Sequence, residues 1–322
     1  MTLFILFTLL LTLAWERLFK RSDRWQLDHR LEWIFSHIHR FSLSYTLAMV
    51  LLWMVIVACL QYWLDGVLFD LFTLLFWLAV LTLCFGAGKI RRYYHEYLVA
   101  ARQKDDAALM HRAKDLMLIS QGYLTDALAM PAEENKSVDK VSVNQPTLTP
   151  LVPASHIVDN VDLTRLQRAL LWHNYRFYIA PLFYLVIGGN YGIVLLAGYA
   201  FARAWQTWLA LHHDPQARQQ SGIDCVLHYL DWIPARIAAL LYAFLAHGEQ
   251  ALSRWFASLT NNQLGAYQLI SELASITLAH KQPTVDDVDA LVNEPQNAVS
   301  LARKVMIALV VLVSLLMIYA WL

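Results

Sequence analysis

Two apolar runs, Tyr45–Leu64 and Val67–Gly88, follow one another with only Asp65-Gly66 between them, and nothing else constrains the fold as tightly. The first carries no charge and the second carries only Asp70. A helix needs roughly 20 apolar residues to cross the hydrocarbon core of a bilayer, and both runs are long enough. Asp-Gly is a turn pair, so the runs predict a helical hairpin with almost no exposed loop. Arg17, Lys20, Arg21, Arg24, Arg30 and Arg40 precede the hairpin, and Lys89, Arg91, Arg92, Arg102 and Lys104 follow it. Lys and Arg favour cytoplasmic flanks, so both flanks are expected in the cytoplasm and the turn outside. Composition agrees: 58% of the residues are hydrophobic and 16% charged, too apolar for an ordinary soluble domain. A formal net charge of zero gives no sign of a nucleic-acid surface.

The rest of the chain predicts an all-α, multi-pass integral membrane protein with about five transmembrane helices and cytoplasmic amphipathic helices. Residues 1–129 hold the hairpin with its flanking helices. Within them Met1–Trp15 is apolar but short, either a span or a re-entrant helix. Leu27, Leu31, Ile34, Phe35 and Ile38 then recur at helical spacing opposite Asp28, Glu32 and Arg40. Such a helix lies either on the membrane surface or against the chain's own cytoplasmic part. Residues 130–160, rich in Pro, Ser, Thr and Asn, predict a disordered insert. Asp162 or Thr164 opens the next helix, and residues 161–250 form a membrane core with apolar segments at Phe177–Leu211 and Val226–His247. Gly188-Gly189-Asn190-Tyr191-Gly192 predicts a break inside the first of these. Residues 251–304 read as a cytoplasmic helical segment, and residues 305–322 as a C-terminal span.

Several chemical motifs fail on spacing. Gly86-Ala87-Gly88-Lys89 suggests a phosphate loop, but Leu83 and Ile90 stand where that loop needs Gly and Ser or Thr. His37/His39 and His212/His213 lack the i, i+4 spacing of a helical zinc site. Cys59, Cys84 and Cys225 lie in or beside apolar segments, where they serve as small hydrophobes. No metal ligand set and no cofactor is expected.

The stretch from Tyr178 to Arg236 is more informative. It opens with Ala180-Pro181-Leu182-Phe183-Tyr184 and closes with Asp231-Trp232-Ile233-Pro234-Ala235-Arg236, each inside an apolar segment. A proline in a helix releases a backbone carbonyl, and a buried Asp or Arg is costly unless paired. Arg176, Arg203, Asp231 and Arg236 are the expected polar centre, with Asp28 and His29 as second choices from the surface helix. Asp231 and Arg236 are five residues apart, about 140° around a helix, and pair only if Pro234 distorts it. The set reads either as a charge-neutral lock between helices or as a site for an anionic ligand. Gly188, Gly189, Gly192 and Gly198, with Pro181 and Pro234, are the expected helix-packing residues, the glycines admitting a partner helix closely.

Longer strings resemble a known family. Met1-Thr2-Leu3-Phe4, Trp15-Glu16-Arg17-Leu18-Phe19-Lys20, Trp25-Gln26-Leu27-Asp28-His29-Arg30-Leu31, Tyr199-Ala200-Phe201, Arg203-Ala204-Trp205-Gln206, Gln220-Ser221-Gly222-Ile223-Asp224 and His247-Gly248-Glu249 are similar to AmpE. That resemblance implies a multi-pass bacterial inner-membrane protein, encoded beside an anhydromuramyl-peptide amidase and linked to β-lactamase induction and cell-wall recycling. A more distant resemblance, to the CobD/CbiB cobinamide synthases, rests on Ala180–Tyr184 with Gly188-Gly189 and on Asp231–Arg236. The carboxylates of those synthases have no match here: Trp172, His173, Asn174, Tyr175, Arg176 and Phe177 stand in place of their acidic run. The expectation is therefore a non-enzymatic signalling or scaffold protein. Its expected partners are membrane lipid, a membrane protein, and an anionic small molecule or muropeptide. Two alternatives stay open: a scaffold for a single-span partner such as a pilin, and an ATP-dependent synthase with an altered site.

Overall fold

The computed structural model of the chain describes residues 7–12, 14, 27–38, 40–66, 70–121, 162–245, 249–261, 264–279 and 287–319, and among these there is no strand. The expected insert at 130–160 and His39 lie outside the described residues. Helix α1 spans Leu27–Phe35, and α2 (Leu43–Leu64) and α3 (Leu71–Cys84) form the apolar hairpin. At its turn Gly66 takes φ +76°, and its amide donates to Asp70 Oδ1 at 3.0 Å. Thr73 on α3 then donates to the last-turn carbonyl of Leu64 at 2.9 Å, tying the two arms together. Helices α4 (Gly88–Gln103) and α5 (Asp106–Gln121) form the charged helix pair expected after the hairpin. Asp162 caps α6 (Leu163–Asn174) by accepting from the Arg165 amide at 2.9 Å.

The expected break is present. A π-helical turn over Tyr175–Ile179 leads into α7 (Ala180–Ile187), a single 3₁₀ turn covers Gly189–Tyr191, and α8 (Gly192–His212) follows. Short α9 (Pro215–Ser221) and long α10 (Ile223–Leu245) come next, then α11 (Glu249–Thr260), α12 (Ala266–Ala279) and α13 (Asp287–Tyr319). The last helix begins well before residue 305, where a separate span was expected to start. Pro295 sits inside it without ending it.

Among the described residues two helices are long and apolar enough to cross a membrane, within Leu43–Leu64 and Ala290–Leu316. A third results only if α3 and α4 count as one span bent by 43°. Among the described residues length and composition thus support two or three of the five or so expected spans. The physical reason lies in α8 and α10, which carry Arg203 and Asp224, Asp231 and Arg236 and are buried by protein along much of their length. Leu51, Leu52, Val55 and Ile56 on α2 face outward, as a lipid-facing helix requires.

Helix α8 is the centre of the main core. From Gly192 to Leu209 nearly every residue is buried, against α1, α2, α3, α7 and α10. The apolar stripe of α1 is consumed there: Leu27, Leu31 and Phe35 are buried, and the Phe35 ring meets Phe201 and Trp205 edge-on at 5.3 and 5.0 Å. Helix α1 thus packs on α8 of the expected membrane core, not on the cytoplasmic part of the chain. A second, smaller core gathers Tyr97, Leu109, Leu116, Leu166 and Leu291 from α4, α5, α6 and α13.

The glycines at the break serve the chain's own packing. A Cβ on Gly192 would collide with the Leu185 carbonyl oxygen, one on Gly188 would lie 2.5 Å from Gly192 Cα, and one on Gly198 would lie 2.7 Å from the Met54 side chain on α2. Gly189 has open space but takes φ +50°. Gly192→Ala must displace backbone and is expected to cost more than 2 kcal/mol, about the upper end of typical single-site effects. Gly189→Ala should cost only about 1–2 kcal/mol, the strain of a left-handed residue. Thermal unfolding of the two variants in one detergent tests the order.

His173 on α6 is buried, with Nε2 3.3 Å from the Leu116 carbonyl oxygen. Burial, reinforced by the nearby Arg176 charge, pulls its pKa down from 6.5 to about 4. The folded protein therefore resists a proton that the unfolded chain accepts. His173 contributes full stability above about pH 6.5 and progressively less as the pH falls toward about 4. The unfolding midpoint should fall over that interval, with a shallower fall in His173→Gln.

Candidate functional site

Pro181 and Pro234 lie in otherwise helical chain, and each lacks the amide that would answer an earlier carbonyl. At Pro234 the carbonyl left open is that of Leu230, and Tyr184 from α7 donates its hydroxyl to it at 2.6 Å. Before Pro181 the chain winds as a π-turn, in which the Ala180 amide donates to the Tyr175 carbonyl. The Arg176 carbonyl then faces Pro181, which has no N–H to give. Arg203 Nη1 donates to it instead, at 3.0 Å.

The charged residues gather around these two breaks. Asp231 is 4% exposed, and both the Tyr175 and Tyr199 hydroxyls donate to its Oδ1 at 2.9 Å. Tyr175 also reaches the Asp231 carbonyl at 3.2 Å, and the Tyr184 and Tyr199 rings stack at 4.9 Å. Three tyrosines from the π-turn, α7 and α8 thus hold the proline-broken segment of α10. Arg176 donates to Gln206 at 2.7 Å, and Gln206 passes its own amide hydrogen to Asp224 Oδ1 at 2.5 Å. Arg218 donates to that same oxygen from Nε and Nη2, at 2.9 and 2.6 Å.

Arg203 is a hub. Besides the Arg176 carbonyl, it reaches Asp28 Oδ1 on α1 at 3.1 Å and the Cys84 carbonyl at the end of α3 at 3.4 Å. Its guanidinium lies 4.2 Å over the Phe177 ring. Arg236 points elsewhere. It donates to the Ser258 and Asn261 carbonyls at the end of α11, at 3.0 and 2.9 Å, and lies 3.9 Å over the Trp232 ring. A cation answering the last carbonyls of a helix is a C-terminal cap.

The structure thus brings Arg176, Arg203, Asp231 and Asp28 into one connected region, while Arg236 caps a separate helix end and does not pair with Asp231. His29 sits on the outer side of α1, 3.0 Å from Glu32, with more than half its side chain exposed. Sequence reasoning missed Tyr175, Tyr184 and Tyr199. It also missed Gln206, Arg218 and Asp224 as members of the network. One signal was available: Asp224 and Asp231 are seven residues apart, two turns along one face of α10.

A family profile described as "Regulatory signalling modulator protein AmpE" matches residues 1–142 and 123–322. The chain belongs to the AmpE family. "Protein AmpE" of Shigella flexneri is 45% identical over 314 residues, covering 98% of each chain. No solved structure matches. AmpE membership assigns a regulatory signalling role and bears out the family resemblance read from the strings above. Four of those strings enclose members of the centre described here: one holds Asp28, one Tyr199, one Arg203 with Gln206, and one Asp224.

The Arg203–Asp28 pair is buried on the arginine side, where the side chain is 2% exposed. Removing one partner of a buried pair strands the other, at a cost of about 3–5 kcal/mol. Asp28→Asn should destabilise the protein less than Arg203→Met, because Asp28 is 20% exposed and Asn keeps an acceptor. The double variant should lose less than the sum of the two. Additive losses in a double-mutant cycle would show that the pair does not hold α1 to α8.

Proposed function

We propose that this chain is a non-enzymatic, multi-pass inner-membrane regulator. Its buried polar centre couples the membrane helices to β-lactamase induction and cell-wall recycling. One observation carries the reading: the centre's charged side chains are spent on holding helices together at their breaks and ends. Arg203 answers the carbonyl opposite Pro181, Tyr175 and Tyr199 hold Asp231 beside Pro234, and Arg236 closes a helix end. Such a joint has two sides that can separate or close, which suits a switch better than a reaction centre. The family's description as a regulatory signalling modulator supports the role, and the apolar helices support a place in the membrane. The expected partners are lipid and a membrane protein, with an anionic small molecule or muropeptide as ligand. A synthase-like reading would require the same carboxylates to serve a nucleotide-dependent reaction.

The test is Asp231→Asn in the native gene, with membrane abundance and inducible β-lactamase activity measured together. Loss of the tyrosine-bound carboxylate should change inducibility several-fold at unchanged abundance. Unchanged inducibility in this variant and in a strain lacking the protein would overturn the regulatory reading. ATP turnover by the purified protein, lost in Asp231→Asn, would overturn the non-enzymatic one.

A further inference from the structure

Five exposed cations outside the polar centre stand where apolar helix gives way to charged helix. Lys89, Arg91 and Arg92 open α4, just after its 43° bend from the apolar α3. Arg303 and Lys304 stand on α13, just before its last apolar run. No Asp or Glu occurs in residues 71–95 or 295–322.

The packing brings these two sets level. Tyr97 meets the Leu291 carbonyl, while the charge of Arg303, a dozen residues further along α13, acts on Tyr94, a turn earlier in α4. The two helices therefore run in opposite directions, and the start of α4 lies beside Arg303 and Lys304. The π-turn stands at the same height: Asn174, just before it, holds the Ala302 carbonyl at 3.4 Å, and Arg91 Nη2 donates to the Tyr178 hydroxyl at 2.6 Å. On the opposite face of α4, Lys89, Arg92 and Arg112 surround the Tyr93 ring at 5.9, 5.7 and 5.3 Å. Glu96 answers Arg92 at 3.9 Å and Arg112 at 2.8 Å. Lys89, Arg303 and Lys304 join no ion pair among the described residues.

A second ring lies at the far end of the apolar stretch. Tyr62, Trp63, Tyr191 and Tyr319 are exposed, and Gln61 donates to the Asn190 carbonyl at 2.9 Å, which sets the hairpin tip level with the 3₁₀ turn. Tyr319 lies about 24 Å beyond Arg303 along α13, and Ile307, Val311, Leu312 and Leu315 face outward between them. With the reach of the long side chains added, that band approaches the roughly 30 Å of a hydrocarbon core. Tyr and Trp collect at both membrane interfaces, Lys and Arg at one.

From this placement we infer that Lys89, Arg91, Arg92, Arg303 and Lys304 form a rim that binds anionic phospholipid headgroups in the leaflet beside it. This rests on the proposed place of the chain in the membrane and names the lipid chemistry it selects. The rim holds an excess of cations at headgroup height, and the lipid supplies the anions that the neighbouring sequence lacks. Each such cation is worth about fivefold in binding, within a Debye length of about 10 Å. A zwitterionic headgroup offers the same phosphate without the net charge, so the rim discriminates against it.

The experiment uses the full chain purified in detergent and held on a resin. It is washed with neutral micelles carrying equal amounts of phosphatidylglycerol and phosphatidylcholine, and the lipid retained is counted by mass spectrometry. Phosphatidylglycerol should be retained at least about fivefold over phosphatidylcholine. Lys89→Gln, Arg303→Gln and Lys304→Gln together should bring the ratio down to that of the micelles. Arg102→Gln with Lys104→Gln, about 20 Å away at the other end of α4, should leave it unchanged. Should the triple variant fail to fold, the unaltered chain decides: washing in 0.5 M salt, roughly a 4 Å Debye length, should remove most of its preference. Equal retention of both lipids, a preference that survives the triple variant or high salt, or one lost equally in the control pair would overturn the inference. Native membranes washed with alkaline carbonate are assayed alongside. A chain that stays in them without preferring phosphatidylglycerol sinks the rim and leaves the membrane reading standing, and a chain released by the wash overturns both.

Discussion

Two missing backbone amides organise this molecule. Pro181 and Pro234 each leave a helix carbonyl without its amide in an apolar surrounding, where an unanswered carbonyl costs on the order of a kcal/mol or more. The donors that answer them, Arg203 and Tyr184, come from other helices, so each repair is also a tertiary bond. The repair at Pro181 requires a buried arginine, and a buried arginine requires Asp28. The repair at Pro234 places Asp231 beside tyrosine hydroxyls from two directions. The position of α1 against α8 and the entire hydroxyl cluster thus follow from two backbone defects.

The arrangement also explains why so many charges are tolerated at low exposure. Arg203, Arg218 and Arg236 each end on carboxylate or carbonyl oxygens, and two of the three also lie over an aromatic face. Each of the three thus ends on oxygens of a neighbouring element, Arg203 on the α1 carboxylate of Asp28 and Arg236 on the end of α11. Breaking such a centre by removing one member leaves its partners buried and unanswered, which makes it cooperative. A cooperative centre opens or closes as a unit, the property a regulatory element requires.

Much of this was legible in the residues, and the rest was hidden for definite reasons. The apolar hairpin, its Asp-Gly turn, the glycine break before α8 and the Asp162 cap follow from local rules of length and backbone chemistry. Arg176, Arg203 and Asp231 stood out because a charge in an apolar segment is conspicuous. Tyr175, Tyr184 and Tyr199 did not, because a tyrosine in an apolar helix looks like core until the carbonyl it serves is located in space. Arg236 misled through proximity in sequence: its partners lie 22 and 25 residues further on, at the end of a helix whose position no periodicity reveals. The span count was less legible because α8 and α10 are apolar enough to suggest lipid contact, while neighbouring protein covers much of both.

The unbroken final helix adds a mechanical consequence. At 33 residues α13 is about 50 Å long, some 20 Å more than a bilayer's hydrocarbon thickness. Its early turns are gripped by the charged helices, through Tyr97 on the Leu291 carbonyl and Gln167 on Glu294, and farther along Asn174 holds the Ala302 carbonyl. Asn174 immediately precedes the π-turn that carries Tyr175 and Arg176. Any displacement of this rod along its length is therefore shared between the charged helices and the turn that carries the buried tyrosine.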